Sequence, residues 1–147
     1  MCNAFAFSGP RRLSEIETDT VYNYLDSFSP RPGSPIFVGD ADGVDRIIRL
    51  HYECQVFEVE GGNKPSDFAK RTIAMLRTLR QEKNPCLIAF PNKPCPVGCV
   101  PGKFSGKGSG TWLAIATAKF LCIEIEIIKL GDFDLPNWIF EKQLSLF

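Results

Sequence analysis

The chain has 147 residues, and its 17 Lys and Arg balance 17 Asp and Glu, so the formal net charge is zero. Hydrophobic residues make up 44% and charged residues 23%, a globular composition that argues against a disordered tail or a coiled coil. At this length one core buries roughly two-thirds of the surface that the unfolded chain exposes, so folding needs neither metal nor disulfide.

A short apolar run over residues 3–7 stops at Ser8-Gly9-Pro10, as a buried strand entering a loop would. Leu13, Ile16, Val21, Tyr24, Leu25 and Phe28 then follow at spacings that predict one helix face, and Ser14 and Glu17 are placed as a capping box. Ser29-Pro30-Arg31-Pro32-Gly33 ends that helix. Residues 35–38 read as a second strand broken at Gly39, and residues 44–52 have helical spacing. A third strand over 55–59 turns at Gly61-Gly62-Asn63 into a helix over 66–82, with Phe68, Ile73, Met75, Leu76 and Leu79 mostly on one side.

Residues 86–90 are the fourth strand, followed by a long Pro/Gly/Lys loop from 91 to 110 and a helix over 111–121. The fifth strand, 123–130, alternates Glu124 and Glu126 with apolar residues, which suggests a partly wet edge. Strand–helix alternation of this kind predicts an α/β chain, a Rossmann-like three-layer fold with a mostly parallel five-stranded sheet. Residues 1–130 form that domain. Residues 131–147 are an aromatic tail carrying Phe133, Trp138, Ile139, Phe140, Leu144, Leu146 and Phe147. So apolar a segment is expected to pack across the sheet or its edge, with cover of a second subunit in a homodimer as the alternative.

Several function classes are disfavoured at once. No apolar run approaches the ~20 residues that span a bilayer, and the first ten residues lack the positive charge of a signal peptide. A neutral total weighs against broad binding to nucleic acid or anionic lipid. The six cysteines read as reduced thiols of a cytoplasmic protein. Cys95 and Cys99 have Cys86 nearby in sequence, but His51 is the only histidine, so no zinc set is complete and no metal site is expected. A redox-sensing Cys95–Cys99 pair is a little better supported, because surrounding lysines would lower the thiol pKa values. No Ser–His–Asp arrangement can be assembled, and His51 itself reads as a helix C-terminal cation or a packing residue.

In open α/β sheets ligands bind beyond the C-terminal ends of the strands. Two loops at such ends are unusual: Gly39-Asp40-Ala41-Asp42-Gly43-Val44-Asp45 and Ser105-Gly106-Lys107-Gly108-Ser109-Gly110-Thr111. Small residues let the backbone approach a ligand, and free N–H groups at a helix start favour an anion. Neither loop follows a standard nucleotide fingerprint, since the first fails G-x-G-x-x-G and Gly108 stands where a P-loop needs Ser or Thr. Singly each loop reads equally well as a tight turn; together they favour a ligand site. Between Glu82 and Glu124 there is no acid, yet Lys83, Lys93, Lys103, Lys107 and Lys119 lie there. These lysines either attract a phosphate to the later loop or merely solubilise it.

The residues resemble the SLOG superfamily, which joins the Smf/DprA and Lonely Guy proteins, in its stand-alone YspA/YpsA-related branch. Four motifs match in order: Phe7-Ser8-Gly9-Pro10-Arg11, then the run from Val38 to Asp45, then Arg71 with Met75, then Gly108-Ser109-Gly110-Thr111. The resemblance implies a Rossmann-like fold and a nucleotide pocket walled by Gly9, Arg11, Gly39, Ala41, Gly43, Arg71, Gly108, Gly110 and Thr111. Arg11 and Arg71 would bond a phosphate or carboxylate bidentately; Arg71 reads equally as a surface residue, and Thr111 as an N-cap. The Lonely Guy glutamate falls on Ala114, which leaves glycosidic cleavage without its carboxylate. Asp40 and Asp42 would repel a bare phosphate and suit ribose hydroxyls or a Mg²⁺ accompanying the nucleotide.

The leading expectation is therefore a small nucleotide-binding module of the sensor class, whose thermal stabilisation by a phosphorylated nucleoside is lost in Arg71→Ala. The alternatives are a nucleoside-monophosphate phosphoribohydrolase using Asp40, Asp42 or Asp45, and a DprA-like DNA-processing accessory.

Overall fold

The computed structural model describes residues 1–141, and its framework is five strands and four α-helices in strict alternation. The strands are β1 (Ala4–Ser8), β2 (Ile36–Gly39), β3 (Gln55–Phe57), β4 (Pro85–Ala89) and β5 (Glu124–Ile127). The helices are α1 (Glu15–Ser27), α2 (Val44–His51), α3 (Pro65–Arg80) and α4 (Gly110–Phe120). The sheet order is β3-β2-β1-β4-β5 and every pair is parallel. This is the three-layer α/β architecture expected from the alternation, and the chain reverses its winding between β1 and β4.

Strand pleat sorts the core into two layers. Ala4, Ala6, Phe37, Leu87 and Ala89 face α3 and α4, where Met75, Leu76, Leu79, Trp112 and Ile115 complete one cluster. Phe7, Ile36, Val38, Cys86, Ile88 and Phe90 face α1 and α2, meeting Val21, Leu25, Val44, Ile47 and Ile48. Both faces of the central strands are thus covered, as parallel sheets require.

The Ser14–Glu17 capping box forms as the spacing predicts: the Glu17 N–H donates to Ser14 Oγ at 3.1 Å, and the Ser14 N–H to Glu17 Oε1 at 2.9 Å. Ser14→Ala should therefore lower unfolding free energy by about 1 kcal/mol, measurable by urea titration. Ile16, however, is 79% exposed. At 3.6 residues per turn it lies roughly 140° around the axis from Val21, on the solvent side.

The two edge strands, β3 and β5, are shorter than expected. β3 ends at Phe57, because beyond it the Val59 N–H donates to the Asp40 carboxylate at 3.0 Å instead of continuing the ladder. β5 ends at Ile127, though the Ile128 and Leu130 N–H groups still bond Ala89 O and Pro91 O. Glu124 and Glu126 are exposed on this edge strand. α3 starts one residue early at Pro65, since proline is tolerated in the first turn, where its missing N–H costs no helix bond.

Phe133, Leu135, Trp138 and Ile139 pack against the α3/α4 cluster, and Trp138 meets Trp112 edge-on with ring centroids 6.1 Å apart. Leu144, Leu146 and Phe147 lie outside the described residues. Among the described residues, no helix is long and apolar enough to cross a membrane.

Candidate functional site

A cleft of about 480 Å³ opens at the carboxyl ends of the strands, where the winding reverses. The loop after β1 contributes Gly9, Pro10, Arg11 and Arg12, and the loop after β2 contributes Ala41. Asp45 comes from α2, while Phe68, Arg71 and Thr72 come from α3. Asn92 and Lys93 follow β4, and Gly106, Gly108, Ser109, Gly110 and Thr111 close the cleft at the start of α4.

The first two loops are stacked on each other, and glycine makes that contact possible. Gly43 has φ of +70°, and a Cβ there would stand 2.0 Å from Pro10 O. The Val44 N–H donates to the same Pro10 O at 3.2 Å, so the start of α2 holds the β1 loop instead of facing the cleft. At Gly39 a Cβ would lie 2.6 Å from the Asp45 carboxylate and 3.0 Å from the Arg71 guanidinium. Arg49 ties this turn together by donating to Gly39 O and Ala41 O, each at 2.8 Å.

The second loop is held differently. Ser109 is the N-cap of α4, accepting from the Trp112 N–H at 3.0 Å, so Thr111 is a first-turn residue facing the cleft and not the cap. Helix geometry leaves the first N–H groups, at Gly110 and Thr111, without intrahelical partners. Trp112 is fully buried and its indole N–H donates to Lys93 O at 2.8 Å, which anchors the loop after β4. Lys93 Nζ then reaches across to Gly108 O.

Cations dominate the lining. Arg11, Arg12, Arg71 and Lys93 face one acid, Asp45, among the described residues that line the cleft. The Arg11 guanidinium lies over the Phe68 ring, 3.9 Å from its centroid. Arg71 is committed to Asp40 through a 2.6 Å ion pair. Burial tends to raise the Asp40 carboxyl, but the Val59 N–H and Arg71 outweigh it and hold that pKa below its usual value. Asp45 is the reverse case. Burial pushes its carboxyl up to about 6, against the smaller downward pull of Arg71, the Ala41 N–H and Arg49.

Of the residues singled out by sequence, Gly9, Arg11, Ala41, Asp45, Arg71, Gly108, Ser109, Gly110 and Thr111 come together here. Gly39, Asp40, Asp42, Gly43 and Lys107 do not line the cleft. Gly39 and Gly43 shape the turn behind it, Asp40 is spent on Arg71 and Val59, and Asp42 and Lys107 are exposed outside it. Asp40 and Asp42 are therefore not arranged to hold a Mg²⁺ or ribose hydroxyls in the cleft. Sequence reasoning missed Arg12, Phe68, Thr72 and Asn92, and named Lys93 only as one of five lysines in an acid-free stretch. Asn92 and Lys93 carried a signal, because they directly follow a strand and so belong to the ligand-binding edge of an α/β sheet. Phe68 precedes Arg71 by one turn of α3 and shares its face.

Cys95, Cys99 and His51 are structural in setting. Burial pushes the Cys99 thiol up to about 12 and raises Cys95 as well, so these thiols are not lowered as the surrounding lysines suggested. His51 Nδ1 lies 2.8 Å from Ile47 O at the end of α2 and its ring meets Tyr22 edge-on. Ala114, where the Lonely Guy glutamate would fall, is fully buried against the sheet.

Comparison with protein-family models, curated proteins and solved structures finds no match.

Proposed function

We propose that this chain is a nucleotide-binding module of the SLOG type, taking a phosphorylated nucleoside or a derivative of one in the cleft between β1 and β4. The observation that carries this reading is that Arg11, Arg12 and Lys93 line the same cleft as the open start of α4. Positive side chains, unpaired N–H groups and the positive end of a helix dipole all favour a phosphate there. Arg71 contributes less directly, since an incoming anion must compete with Asp40 for its guanidinium. The volume falls within the range of small-molecule sites, and Pro65, Ala69 and Leu113 offer apolar surface for the remainder of the ligand.

A thermal-shift screen against nucleoside mono-, di- and triphosphates, cyclic nucleotides and dinucleotides tests the proposal. A true ligand at a hundred times its dissociation constant adds about 2.7 kcal/mol to stability. Arg11→Ala should weaken that binding about tenfold to a hundredfold by removing a charge-assisted contact, while lowering unliganded stability by no more than about 1 kcal/mol through the lost stacking on Phe68. A flat response to the whole panel would end the nucleotide reading.

Asp45 favours one second reading, a phosphoribohydrolase-like activity in which this carboxyl replaces the glutamate absent at position 114. Its burial at the cleft and raised pKa suit proton transfer near neutral pH. Release of free base from nucleoside monophosphates, abolished by Asp45→Asn, would establish it.

A further inference from the structure

At the amino ends of the strands, opposite the cleft, three chemically matched side chains meet. Cys2 precedes β1, Cys86 is the second residue of β4 and Glu124 the first of β5. Cys86 and Glu124 are register partners in the parallel β4–β5 pair, so the pleat sends both to the same face. The Cys2 thiol donates to Glu124 Oε2 at 2.8 Å. One donor atom from each of the three lies within 4.8 Å of the others.

We propose that Cys2, Cys86 and Glu124 form a binding site for a thiophilic divalent cation of the zinc class. Two sulfurs and one carboxylate oxygen are the donor set that borderline-soft cations prefer over magnesium or calcium, which take oxygen alone. Bond lengths of about 2.3 Å to sulfur and 2.0 Å to oxygen place tetrahedral donors roughly 3.5–3.8 Å apart, so the Cys2–Glu124 pair must widen from its 2.8 Å hydrogen bond, an adjustment that side-chain rotation supplies. Cys86 is buried and Cys2 half-buried, while Glu124 is exposed, so the fourth position opens to water. As the two metal–sulfur bonds form, both thiol protons leave to solvent.

The side chains around the three are acidic, with Glu124 and Glu126 on one face of β5. Tyr24 donates to Glu126 at 2.6 Å, and Glu126 lies two residues along β5 on the same face. No lysine or arginine enters this cluster through a hydrogen bond or ion pair among the described residues. The site is independent of the cleft, so either can fail without the other.

The reduced full chain should be titrated with Cd²⁺ while the ultraviolet thiolate-to-metal charge-transfer band is recorded. One equivalent is expected to saturate the band. Cys2→Ser and Cys86→Ala should each weaken binding at least about tenfold, and Glu124→Gln, an exposed change that leaves folding intact, by about tenfold. A Cys95→Ser/Cys99→Ser double variant should keep the band unchanged, and Zn²⁺ should protect Cys2 from alkylation. Absence of a band, its persistence in both Cys2→Ser and Glu124→Gln, or its loss in the Cys95/Cys99 variant would each overturn the proposal.

Discussion

Gly43→Ala is expected to destabilise the protein by about 3 kcal/mol or more, lowering the melting temperature by roughly 6–12 °C for a chain of this size. Two costs add. The backbone at φ of +70° is one that L side chains rarely adopt, and the new methyl would stand 2.0 Å from Pro10 O, inside any allowed contact. Relief requires the β1 loop and the start of α2 to separate, which breaks the Val44 N–H to Pro10 O bond and shifts Arg11. Ligand binding should fall along with stability. Gly33→Ala is the control, because Gly33 has φ of +84° but nothing within 4 Å of a Cβ. It should cost only the conformational part, about 1–2 kcal/mol. Equal losses in the two variants would show that the stacking of the loops does not matter.

The second large effect concerns pH and Asp45. Its carboxyl titrates at about 6 in the folded chain against 3.8 for the free group, so between those values the folded state holds a proton that the unfolded state has released. Stability must then fall as pH rises across this window, by roughly 3 kcal/mol from this group, and level off above about pH 6. Asp40 acts with the opposite sign in a lower window. Its depressed pKa stabilises the fold above the ordinary carboxylate range and is lost only as pH falls below it. Urea unfolding at half-unit steps from pH 4 to 7 checks the slope. Asp45→Asn keeps an acceptor for the Ala41 N–H but cannot ionise, and should flatten the curve between pH 4 and 6. A slope that survives the substitution would assign the titration to another group.

Much of the cleft was visible in the linear order because it is built from strand ends and turns. Gly9, Arg11, Ala41 and the run from Gly108 to Thr111 are local features, placed by the rule that α/β ligand sites follow the strands. Asp40 was misread for a reason that no local pattern carries. Its partner Arg71 lies 31 residues away, and their ion pair turns Asp40 from a cleft acid into a brace for α3. Lys93 was one of five lysines in an acid-free stretch, and only the Trp112 indole, bonded to its carbonyl, sets it against the glycine loop.

Periodicity and turn chemistry in the chain were enough to specify the alternating strands and helices, the capped start of α1 and the two glycine loops. Each of these depends on neighbours within a turn or a strand pair, where spacing dictates which side chains share a face. Tertiary packing alone chose the sheet order, the stacking of the β1 and β2 loops, the edge-on meeting of Trp112 with Trp138 and the gathering of Cys2, Cys86 and Glu124. Those contacts join residues up to 122 positions apart. Burial then sets their chemistry, because a carboxyl or thiol takes its pKa from the solvent it loses and the charges it meets, and neither is written in its sequence neighbours.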